Sequence, residues 1–116
     1  MTQPPDPADL LTGEQQKKLR GLGHRLEPVV YIGREGLSPA LVKSAEAALT
    51  ARELIKIKVG QNCPVDRTAA GRELGRLTGA AVVQIIGRMT LLYRANPDLP
   101  PDRRIALEQV QGRPAR

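Results

Sequence analysis

The chain is poor in aromatic residues: Tyr31 and Tyr93 are its whole inventory, with no phenylalanine and no tryptophan. That excludes a surface whose main device is a set of rings stacking unpaired bases, including the usual RNA-recognition-motif sheet. One cysteine, Cys63, leaves no partner for an intrachain disulfide, and one histidine, His24, is too few for a structural zinc site. No apolar run approaches the roughly 18 residues of a membrane span, and Met1–Pro7 carries neither a basic region nor an apolar signal core. A soluble, cytoplasmic protein in a reducing compartment is expected.

Acids are also scarce. Twelve Asp and Glu stand against 18 Lys and Arg, for a net charge of +6 and a pI near 10.1. Residues 12–94 hold 14 of the cations against seven acids, so the excess belongs to the middle of the chain and not to a tail. Such a balance favours polyanionic partners, and 13 of the 18 cations are arginines, whose planar fork suits phosphate oxygens. With so few rings, any nucleic acid should be held by phosphate and shape contacts.

At 116 residues the chain fits one domain with some length to spare. Residues 1–11, with three prolines, and residues 95–116, with Pro97, Pro100, Pro101 and Pro114, show little periodicity. Both are expected to be mostly flexible, which leaves a domain at 12–94.

Within it the punctuation is clear. Thr12-Gly13-Glu14-Gln15 has capping-box form and predicts a helix at 13–24 that Pro28 forbids from continuing far. Val29-Val30-Tyr31-Ile32 suggests a buried strand ended by Gly33. Ser38-Pro39 is an N-cap followed by proline, starting a helix that ends near Arg52. Leu54–Val59 alternates, with Ile55, Ile57 and Val59 toward a core and Lys56 and Lys58 toward solvent. Asp66 caps a third helix that stops at Gly79, and Gly87-Arg88 suits a hairpin between strands at 81–86 and 89–94. The order helix-strand-helix-strand-helix-strand-strand gives an α/β class: a compact two-layer domain with a four-stranded mixed sheet. Helices 2 and 3 should share one side, both strand-helix-strand units should pair their strands in parallel, and the place of helix 1 is open.

Chemistry is concentrated in Gly33-Arg34-Glu35-Gly36, between a strand and a helix start. Two glycines would permit positive φ and a close backbone approach, free amides of the helix would seat a phosphate, and Arg34 would add charge. The plainer alternative is a connecting turn. Lys17, Arg20 and His24 share a stripe of helix 1, flanked by Lys18 and Arg25, and could be a binding or merely a solvated face. Lys56 and Lys58 carry the same double reading. His24 suits a packing or end-cap position, since no relay partner lies at a suitable spacing, and Cys63 has no local base. No catalytic constellation or metal set is visible, so no enzymatic role and no cofactor is expected.

Leu19-Arg-Gly-Leu-Gly-His24-Arg-Leu-Glu-Pro28-Val-Val-Tyr-Ile-Gly33-Arg-Glu-Gly36-Leu37, then Glu53-Leu-Ile-Lys-Ile-Lys58, then Gln84-Ile-Ile-Gly-Arg-Met-Thr-Leu-Leu-Tyr93-Arg94, together resemble the CRM domain (chloroplast RNA splicing and ribosome maturation) in its stand-alone bacterial, YhbY-like form. The resemblance implies a fold similar to the C-terminal domain of translation initiation factor three and association with precursors of the large ribosomal subunit. It also implies an RNA-binding role for the Gly33–Gly36 loop. The expected RNA-binding set is Gly33, Arg34, Glu35, Gly36, Lys17, Lys18, Arg20, Arg25, Lys56, Lys58 and Arg88. The partner expected is ribosomal RNA or a large-subunit precursor, met by a monomer. The competing class is a module that contacts a ribosomal protein.

Overall fold

In the computed structural model, which describes residues 10–107, the chain runs α1 (Gly13–Gly23), β1 (Pro28–Ile32), α2 (Pro39–Arg52), β2 (Leu54–Val59), α3 (Arg67–Thr78), β3 (Ala81–Ile86) and β4 (Met89–Tyr93), then a short 3-10 turn at Pro101–Arg103. The caps set these limits. Thr12 Oγ1 accepts from the Gln15 amide at 3.0 Å while Gln15 Oε1 accepts from the Thr12 amide at 2.9 Å, closing the box. Ser38 Oγ accepts from the Leu41 amide, the Asp66 carboxylate accepts from Thr68 and Ala69, and Gly79 ends α3 in the left-handed conformation.

The sheet order is β1-β2-β4-β3. β1 and β2 pair in parallel, and β4 is antiparallel to both its neighbours. Parallel pairing of both strand-helix-strand units therefore holds only for the first. β4 lies between β2 and β3, and its residues Thr90, Leu91, Leu92 and Tyr93 are all buried, as suits a central strand.

On one face, Val30, Ile32, Ile55, Ile57, Val59 and Leu92 pack against Ala45 and Leu49 of α2 and Ala70 and Leu74 of α3. Those two helices share a side, as expected. The opposite face is not wholly solvated. Leu54, which shares the face of Lys56 and Lys58, joins Val83, Leu91 and Tyr93 in a second core closed by Leu19 of α1. The two-layer expectation is thus corrected: α1 forms a partial third layer, because Leu54, Leu91 and Tyr93 leave one end of that face too apolar to meet water.

The Pro-rich segment after Arg94, expected to be mostly flexible, is largely exposed but touches the domain at a few points. Ile105 and Leu107 cover the second core, and the fully buried Glu53 carboxylate accepts from the Asn96 amide at 2.6 Å, the Ile105 amide at 2.7 Å and Arg104 Nε at 3.1 Å. Leu11 packs there too. Contacts with the domain accordingly continue past Arg94 as far as Leu107. Residues 1–9 and 108–116, the outer parts of the two flexible segments expected from composition, lie outside the described residues.

Candidate nucleic-acid interface

The parallel β1–β2 pair and the antiparallel hairpin bring three connections to one end of the sheet. There β1 runs into Gly33–Gly36, β2 into Gly60, and β3 turns at Gly87-Arg88 into β4. Backbone bonds tie them: the Gly60 amide donates to Ile32 O and the Val59 amide to Arg88 O, both at 2.8 Å, and Arg88 Nη1 reaches Gly60 O at 3.4 Å. Across the open face beside this end the register aligns Tyr31, Lys58, Met89 and Ile86, with Lys56 one step further in.

The glycine loop is a tight turn, with the Gly36 amide donating to Gly33 O at 3.0 Å and Arg34 and Glu35 exposed at its corners. Only Gly36 has positive φ, at 66°. Gly33 does not need it. The helix start is a poorer phosphate seat than expected, because Pro39 has no amide hydrogen and Ser38 Oγ already takes that of Leu41. What the loop offers is Arg34, the Ala40 amide and a close approach of backbone.

Of the other expected residues, Lys58 and Arg88 lie at this same end, and Lys56 lines a cleft of about 230 Å³ with His24, Gln84, Ile86 and Met89, between the end of α1 and the sheet. His24 is the C-cap of α1, as its end-cap reading implied, and the exposed Arg25 follows it. The remainder of the helix stripe is not brought to the loop. Lys18 Nζ donates to Ala106 O, beside the second core at the opposite end of the sheet, while Lys17 is exposed and Arg20 half-buried on α1. Helix spacing showed that these side chains share a surface but not which end of the sheet it overlies.

The reading from composition missed Tyr31. A β-branched run suggested a buried strand, yet β1 is an edge strand and the Tyr31 side chain is 58% exposed on the Lys58 face. Its only signal was alternation within Val29–Ile32, masked by β-branched neighbours. Tyr93 is the opposite case: it is buried, and burial, with the Glu53 charge adding to it, raises the phenol above its ordinary ionisation range. Among the described residues no group of three or more His, Cys, Asp or Glu side chains could hold a metal ion, and no helix is long and apolar enough to cross a membrane. Cys63 is half-buried in the loop after β2.

Known proteins resemble this chain. The chain is 36% identical over 89 residues to the probable RNA-binding protein YqeI of Bacillus subtilis, covering 77% of this chain and 93% of that one. It is 40% identical over 87 residues to a probable RNA-binding protein of Pseudomonas aeruginosa, covering 75% and 84%. The solution structure of a hypothetical Staphylococcus aureus protein, described as a candidate RNA-binding protein, superposes with a TM-score of 0.65 at 36% identity, over 76% of this chain and 92% of that one. The model of the CRS1 / YhbY (CRM) domain matches residues 11–94, which include the glycine turn, the lysine strand and the hairpin that meet at one end of the sheet, and the chain belongs to that family.

Proposed function

We propose that this protein binds RNA without acting on it chemically, holding the phosphate backbone of structured RNA at the loop end of its sheet. The observation that carries this is the convergence of Arg34, Lys58 and Arg88, with Lys56 behind them, beside a turn in which Glu35 is the one acid. The RNA-binding names of its relatives support it. The narrower part of the proposal, taken from the family resemblance, is that the RNA is ribosomal and belongs to precursors of the large subunit.

A filter-binding salt series on a structured ribosomal RNA fragment tests the first part. Affinity should fall steeply with salt, and Arg34→Ala should reduce the log-log slope by about 0.7 to 0.9, the share of one phosphate contact, with the melting temperature unchanged. A salt-independent complex with a ribosomal protein in place of RNA binding would instead establish the competing reading. Crosslinking in cells and mapping of the bound RNA tests the second part: reads spread over unrelated transcripts would remove the ribosomal assignment.

A further inference from the structure

The chain's one exposed ring is placed as though to be used. Tyr31 pairs with Lys58 across the edge of the sheet and shares its open face. Two glycines lie against the ring, Gly60 at its hydroxyl end and Gly33 along one edge. A Cβ at Gly60 would stand 2.6 Å from Tyr31 Cζ, so any side chain there would displace the ring, and a Cβ at Gly33 would come within 3.5 Å of Tyr31 Cε2. The Gly60 amide is fixed by its bond to Ile32 O, which makes that contact rigid. A half-exposed tyrosine held on backbone has already lost much of the freedom that a stacking contact would otherwise cost.

We propose that Tyr31 stacks the base of an unpaired nucleotide whose flanking phosphates are met by Lys58 and Arg34. This rests on the RNA-binding reading and adds to it the substrate class: RNA with an extruded or single-stranded nucleotide at the glycine turn, not a continuous duplex. One ring suffices for one base. Tyr93, the other tyrosine, is buried and cannot serve. Stacking on a ring tolerates any base, so the contact selects for an unpaired state and not for a sequence.

Because the chain has no tryptophan, its emission comes from Tyr31 and Tyr93 alone. The full chain is titrated with a short single-stranded oligoribonucleotide and with a blunt RNA duplex. The single strand should quench the emission, and Tyr31→Phe should abolish the quench while keeping the affinity. Tyr31→Ala should weaken single-strand binding roughly 5- to 150-fold, with duplex affinity and the salt slope retained because no charge is lost. Wild-type affinity of Tyr31→Ala for both RNAs, without any quench in the parent chain, would overturn the stacking and leave the RNA reading standing. An equal loss on both RNAs would also overturn it, assigning the ring to support of the loop. Failure of the parent chain to bind either RNA would bring down both readings.

Discussion

Glu53 is fully buried at the end of α2 with φ of 66°, in a region where a residue with a side chain is strained. That strain aims its carboxylate at two amides and a guanidinium from 43 to 52 residues further along the chain. Glu53→Ala should destabilise the protein by about 3 kcal/mol in urea melts, since the Asn96 and Ile105 amides lose a charged acceptor. Glu53→Gly should cost less than Glu53→Ala, because glycine adopts this φ freely. Nothing near Glu53 in sequence reveals this role, whereas Ser38 and Asp66, whose partners lie within three residues, were legible as caps. Tyr93 supplies a pH test at the same scale. In Tyr31→Phe it is the only tyrosine, and its phenolate absorbance should appear above the ordinary value of 10.0. The folded state keeps this proton longer than the unfolded one, so the associated stability is complete below pH 10.0 and is lost as pH rises through the folded-state value.

At the level of elements, existence and ends were read correctly from caps, prolines and glycines, but placement was not. The alternation of β2 identified Ile55, Ile57 and Val59 as core, yet it could not show that Leu54 would call α1 onto the lysine face. That placement separates two basic sets that seemed equivalent in sequence. Lys56→Glu with Lys58→Glu should lower the salt slope by roughly 1.4 to 1.8 and abolish most RNA affinity. Lys17→Glu with Arg20→Glu should have a clearly smaller effect, because that part of α1 overlies the end of the sheet remote from the turn. Lys17 and Lys58 are exposed but Arg20 and Lys56 are half-buried, so each pair should cost about 1 kcal/mol of stability at most, checked by thermal melting. Equal losses of affinity would show that the RNA spans the whole lysine face.

For the molecule as a whole, composition marked residues 12–94 as the domain and did not show the contacts that residues 96–107 make with it. Proline marks an inability to continue helix or strand, not an inability to pack, and the segment after Arg94 has no periodicity by which its docking could be read. Arg94 itself is tied inward: Nη1 donates to Glu46 Oε1 at 2.6 Å and to Thr78 O at 2.7 Å, joining the residue after β4 to both helices of the first core. A chain truncated after Arg94 should melt well below one truncated after Val110, with a loss of at least about 3 kcal/mol from the abandoned Glu53 partners alone. RNA affinity measured at a temperature where both remain folded should be similar, since Ile105 and Leu107 lie by the second core and not by the turn.

One half of the α1 face is sealed by Leu19, Ile105 and Leu107, and the other half is left open. Residues that hold the molecule together and residues proposed to meet RNA consequently share a sheet without sharing a position. Arg34, Tyr31 and Lys58 are exposed, so exchanging them puts little of the fold at risk. With the proposed interface at the open end, a lineage built on this scaffold can alter how tightly it holds RNA by single substitutions there, with no compensating change in the core. Evolutionary drift in affinity should outrun drift in architecture.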